Sequence, residues 1–113
     1  MTTNTVLDKI KSTIYCAATQ VLGDKLEKVY LYGSYARGDY NSHSDIDIFI
    51  LADIPQEDAG KVREKIWSIT GDLDLEYDVI VSPHVAASSN FHKYSKVLPF
   101  YMNIEKEGVE ICA

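Results

Sequence analysis

Positive charge is scarce in this chain. Eleven Lys and Arg residues stand against 17 Asp and Glu, a formal net charge of −6. That balance counts against a surface built to coat DNA or RNA, which would be basic. Cysteine is scarcer still: Cys16 and Cys112 lie far apart and match no metal-ligand spacing. A disulfide scaffold is therefore excluded, and a reducing cytoplasm fits. Cys16 falls inside an apolar helical pattern and is expected in the core; Cys112 ends the last apolar run. The histidines His43, His84 and His92 are scattered without partners at ligand spacing and read as surface residues. No apolar run approaches the length of a membrane span, and Met1-Thr2-Thr3-Asn4-Thr5 shows no basic region followed by an apolar block. The expectation is a soluble, cytoplasmic protein. Internal repeats and low-complexity segments are also missing. With 46% hydrophobic and 25% charged residues the composition is that of an ordinary globular chain, and 113 residues make one domain, 1–113, with a single modest core.

What the chain does have is concentrated between residues 29 and 50. An apolar run, Val29-Tyr30-Leu31-Tyr32, leads straight into Gly33-Ser34. Ten residues, Tyr35 to Ser44, separate that pair from Asp45-Ile46-Asp47, which opens a second apolar run, Ile48-Phe49-Ile50. In a strand, side chains at i and i+2 share a face, so Asp45 and Asp47 project together while Ile46, Ile48 and Ile50 turn into a core. Paired carboxylates repel and resist burial, and a hard divalent cation such as Mg²⁺ resolves that conflict. At the other end Gly33 lets the backbone approach a phosphate. Ser34 offers a hydroxyl and opens a short helix through Arg37, whose planar fork matches phosphate oxygens. A Gly-Ser turn or an Asp-x-Asp alone would be unremarkable as loop sequence. Joined, and framed by apolar runs, they describe a site for a phosphorylated ligand held through metal ions.

The surrounding chain reads as alternating helices and strands. Residues 5–22 carry apolar side chains at helical spacing, from Val6 and Ile10 through Ile14 to Leu22, and Gly23 stops them. Residues 26–32 predict the first strand and 45–51 the second, with burial on both faces beyond the aspartates. Pro55 followed by acids predicts a helix entry, running to Thr70 and burying Ala59, Val62, Ile66 and Ile69, with Trp67 covering the core edge. Residues 72–81 alternate with period two and predict a third strand, with Asp74, Glu76 and Asp78 on one face. Asp72 and Asp74 read as a solvated edge. Asp78 immediately precedes Val79-Ile80-Val81, much as Asp47 precedes Ile48-Phe49-Ile50, so pairing of these strands would set Asp78 beside Asp45 and Asp47. Glu76, one pleat earlier, is the reserve for that position. Ser82-Pro83-His84-Val85 predicts a helix or loop, 86–95 is undecided, 96–107 predicts a helix in which Phe100, Tyr101 and Ile104 pack, and 109–112 a short edge strand. Of the histidines, His43 is the one placed to touch a nucleotide or acceptor.

The segment Gly33-Ser34-Tyr35-Ala36-Arg37-Gly38 … Ser44-Asp45-Ile46-Asp47 resembles the signature of the DNA polymerase beta-type nucleotidyltransferase superfamily, and in this fuller form its minimal nucleotidyltransferases (MNT). Pro99-Phe100-Tyr101, Asn103-Ile104 and Glu107-Gly108-Val109 resemble the tail of the same family. The resemblance implies an α/β (α+β) nucleotidyltransferase fold, a small mixed sheet with flanking helices. It implies a third carboxylate at Asp78, two Mg²⁺ ions (Mn²⁺ as the alternative) held by Asp45, Asp47 and Asp78, and ATP or another NTP held by Gly33, Ser34, Arg37 and Ser44. It further implies a HEPN-type helical protein as partner, with AMP passed to a protein hydroxyl and the small chain acting as antitoxin. Within 113 residues the nucleotidyltransferase core leaves no room for an acceptor-binding domain, so the acceptor is expected from a partner or another copy. Two other readings stay open: a binding module that neutralises its partner by contact, and a subunit of a small-molecule (aminoglycoside-type) nucleotidyltransferase.

Overall fold

A computed structural model describes residues 4–38, 45–77 and 79–111, leaving aside the side chains of Asn4 and Ser34. Helix α1 (Asn4–Leu22) packs one apolar stripe inward, with Ile10 and Ile14 fully buried. A 3₁₀ turn at Gly23–Lys25 then feeds β1 (Leu26–Tyr32). A four-residue helix, α2 (Ser34–Arg37), follows, and the chain returns as β2 (Ile46–Ala52). A 3₁₀ turn at Gln56–Asp58 leads into α3 (Ala59–Thr70), with α4 (Asp72–Tyr77) directly behind it. Strand β3 (Val81–Ala87), helices α5 (Ser88–Tyr94) and α6 (Pro99–Glu107) and the two-residue strand β4 (Val109–Glu110) complete the order.

The sheet is mixed, in the order β3-β2-β1-β4. Strand β1 is antiparallel to both β2 and β4, whereas β2 and β3 run parallel, joined by the α3–α4 crossover that such a pair needs. The period-two alternation of β2 sorts its side chains between two separate cores. Ile46, Ile48, Ile50 and Ala52 join α1, Ile66 of α3 and Leu73 of α4 on one face. Phe49 and Leu51 join Phe91, Tyr101 and Ile104 from α5 and α6 on the other. Every β2 residue after Asp47 is buried, as the sequence predicts. Asp47 therefore sits at the mouth of a strand that cannot move without opening both cores.

Several expectations need correction. Residues 72–77 form helix α4 rather than a strand, and the third strand starts only at Val81. Leu73 and Tyr77, four apart, make the inward stripe, while Leu75 is 88% exposed. Glu76 is accordingly an exposed helical residue and cannot supply a carboxylate from a strand face. Asp74 is not a solvated edge residue: its carboxylate accepts from the Val81 amide at 3.1 Å and its carbonyl from Val79 at 3.2 Å. Residues 82–85 belong to β3 despite Pro83, because β3 is an edge strand, where a missing N–H is tolerated. In α3 it is Thr70, not Ile69, that is buried, and Trp67 is 47% exposed under the Arg63 guanidinium, 5.2 Å from its ring centre. Cys16 lies on the exposed side of α1, one residue off the buried stripe of Ile14, Ala17 and Ala18. The predicted helix over 96–107 starts at Pro99, after α5 has already ended at Tyr94.

Candidate active site

Strand β1 ends at Tyr32 and the chain turns at Gly33, whose φ of +74° lies in the left-handed region that favours glycine. Its carbonyl accepts from the amides of Ala36 and Arg37, both at 3.1 Å, which winds the chain into α2. The antiparallel register places Tyr32 opposite Asp47. The Gly33 turn consequently lies flat against the Asp47 carboxylate: a Cβ built on Gly33 would stand 2.5 Å from Asp47 Oδ2. Two motifs separated by ten residues in sequence thus meet in the fold, with no room for a side chain between Gly33 and Asp47.

Asp47 is half-buried, and burial pushes its carboxyl above the usual carboxylate range, with the neighbouring Asp45 adding to the rise. His84 and Arg37 oppose it. The aspartates thus feel one another, and the fold bears a cost for holding both ionised. Their oxygens suit a hard cation that takes its remaining ligands from water and phosphate, so the donor chemistry fits Mg²⁺. Among the described residues no group of three His, Cys, Asp or Glu side chains forms a complete ligand set. Asp78, Ser44 and His43 lie outside the described residues, as does the side chain of Ser34. The chain that follows Asp78 is anchored: Asp74 accepts from the Val79 and Val81 amides, and Ile80 accepts from the Ile46 amide at 2.8 Å. Arg37 is exposed, and its Nη1 stands 3.4 Å from Glu107 Oε2 at the end of α6.

Sequence reasoning missed the aromatic surroundings of Asp47. His84, read as a surface residue, is exposed on β3 as that reading has it, but one side of its ring packs 6.1 Å from Tyr32 and 5.8 Å from Phe100. Burial lowers the pKa of its imidazole, as does Arg63, while Asp47 works the other way. The Tyr32 hydroxyl is pushed well above its ordinary range by burial and by Asp47. Tyr32 was findable, since it directly precedes the Gly-Ser turn. Nothing in the sequence links residues 32, 84 and 100.

Comparison with known proteins gives these parts a family. A family model described as "Nucleotidyltransferase domain" matches residues 18–110. A protein of Methanocaldococcus jannaschii named "Putative protein adenylyltransferase" is 37% identical over 91 residues, covering 80% of this chain and 84% of the relative. In fold, the chain is similar to one from a toxin–antitoxin complex crystallised with AMP-PNP, with a TM-score of 0.58, 22% identity, and coverage of 91% of this chain and 73% of that one. It is also similar to a chain in a complex of tri-AMPylated Shewanella oneidensis HEPN toxin with MNT antitoxin, with a TM-score of 0.50, 17% identity, and coverage of 93% and 71%.

Proposed function

Since the chain belongs to the nucleotidyltransferase domain family, we propose that it transfers AMP from ATP to a hydroxyl on a partner protein, a HEPN-type helical toxin for which it serves as cytoplasmic antitoxin. The observation that carries this reading is the contact of the Gly33 turn with the Asp47 carboxylate, with Asp45 beside it. That contact sets a side-chain-free turn, whose backbone a phosphate can approach, directly against cation-binding oxygens. The relatives named for adenylyl transfer, and the fold neighbours found with AMP-PNP and with an AMPylated toxin, support the choice of nucleotide and partner.

In this reading the triphosphate lies along the turn, on the backbone after Gly33, with Ser34, Ser44 and the Arg37 guanidinium on its outer phosphates. Asp45 and Asp47, with Asp78 on the segment that enters β3, would hold divalent cations, two Mg²⁺ or Mn²⁺, which would offset phosphate charge and acidify the acceptor hydroxyl. The acceptor oxygen bonds to the α-phosphorus, the bond to the β-phosphate bridging oxygen breaks, and pyrophosphate leaves; Asp78 takes the hydroxyl proton. A small chain suffices because positioning and charge stabilisation supply most of the acceleration in phosphoryl chemistry. The fixed position of β2 between two cores is what this chain contributes to that positioning.

The test incubates the purified protein, with the partner that co-purifies, in ATP labelled at the α-phosphate and Mg²⁺. Label should enter the partner with wild type and vanish with Asp45→Asn and with Asp47→Asn. Partner inhibition that survives in both variants without any label would leave a contact-only antitoxin instead. Label passing to a small molecule rather than to protein would turn the assignment to the aminoglycoside-type alternative.

A further inference from the structure

The face of β2 that carries Asp47 also carries an aromatic group that the proposed chemistry has not used. Tyr32, His84 and Phe100 come from β1, β3 and the first turn of α6, and their rings meet pairwise. Tyr32 and Phe100 are 5.6 Å apart, His84 and Phe100 5.8 Å, and Tyr32 and His84 6.1 Å. Beneath them lies Phe49, 1% exposed, 5.7 Å from Phe100 and 6.4 Å from Tyr32. Core packing accounts for Phe49. It does not account for Phe100, which stays 41% exposed above that floor.

The position of the rings says what they would meet. Tyr32 is the register partner of Asp47, so their Cα atoms are separated by one strand spacing, about 5 Å. His84 is close enough to Asp47 for each to shift the charge of the other. A nucleotide whose phosphates lie at Asp47 and the Gly33 turn projects its base one ribose away, and these rings are the π surface adjoining that point. Base-on-ring stacking uses the face that every base has, so it needs no hydrogen-bonding side chain. From this arrangement we infer that Phe100 and His84, seated on Tyr32, form the platform on which the base of the bound nucleotide stacks. The inference rests on the reading of Asp47 and the Gly33 turn as the triphosphate site. It adds that the base is held through its face, so Mg²⁺–GTP should bind on the same rings as the Mg²⁺–ATP that the proposed transfer uses.

The experiment compares binding of Mg²⁺–ATP, Mg²⁺–GTP and Mg²⁺–tripolyphosphate to the full chain by calorimetric titration. Loss of one stacked base contact corresponds to about 5- to 150-fold in affinity. Phe100→Ala should weaken both nucleotides to that extent and leave tripolyphosphate unchanged. Phe100→Leu, which keeps apolar packing without the ring, should do the same, His84→Ala should act in the same direction, and Phe100→Tyr should bind as wild type. Asp47→Asn, in contrast, should lose tripolyphosphate too. Equal losses of nucleotide and tripolyphosphate in the Phe100 variants would overturn the platform, as would unchanged nucleotide binding. Unchanged ATP affinity with reduced transfer to the partner would overturn it in favour of an acceptor contact. Wild type that binds nucleotide but not tripolyphosphate would remove the triphosphate reading beneath it.

Discussion

Gly33→Ala is the sharpest single perturbation of this site. Two costs follow from the geometry and they separate cleanly. At φ +74° an alanine carries the left-handed penalty, about 1–2 kcal/mol. Its Cβ would also stand 2.5 Å from Asp47 Oδ2, where ordinary contact begins near 3.4 Å, so the carboxylate must retreat by nearly an ångström. A displacement of about 1 Å in a catalytic constellation can cost on the order of 100-fold in rate. Gly23 supplies the control, because its φ is +56° but nothing lies within 4 Å of an added Cβ. Both variants should lose similar stability in urea unfolding, and only Gly33→Ala should lose labelling of the partner from ATP, by about 100-fold. If Gly33→Ala labels as fast as wild type, or Gly23→Ala falls equally far, the contact with Asp47 is not what the glycine serves.

Asp47→Asn should abolish transfer while raising the melting temperature of the cation-free protein at neutral pH. The folded state raises the Asp47 pKa, so ionising it destabilises the fold; that penalty is complete above the folded pKa, fades as pH falls through it, and is gone below the unfolded value, about 3.9. Thermal scans from pH 7 to pH 3.5 should show the advantage of the variant shrinking to nothing, and an advantage that grows in acid would contradict the assignment. Asp74→Ala removes the acceptor for the Val81 amide and should cost about 1–2 kcal/mol and slow labelling. Asp74→Asn keeps an acceptor oxygen and should be close to wild type in both assays. Glu107→Gln breaks a half-exposed ion pair, so urea unfolding should change by less than about 1 kcal/mol. Steady-state kinetics should show the ATP KM falling about two- to fivefold with kcat unmoved, an effect that disappears at high salt, because a competing negative charge beside Arg37 is gone.

Much of this fold was legible because its periodicities are long or its punctuation strong. The stripe of α1, the Gly-Ser corner and the two-sided burial of β2 are all written in local pattern. Residues 72–77 misled because six residues of strict alternation also satisfy one helical turn through Leu73 and Tyr77, and acids in the first turn favour the helix. Pro83 misled because whether a strand is central or at an edge is decided by its neighbours, not by its own residues. The aromatic group around Asp47 was invisible for the same reason: it assembles only after three strands have paired and α6 has folded back over them.

The sorting of β2 between two compartments has a consequence for how such a chain can change over generations. Exchanging one residue for another along β2 alters one compartment and leaves the other alone. Adding or deleting a single residue within Ile46–Ala52 would instead transpose the two, sending an aspartate into hydrocarbon and isoleucines toward the ligand. Length variation among descendants of this chain should therefore be barred from that strand, while its letters remain open to revision.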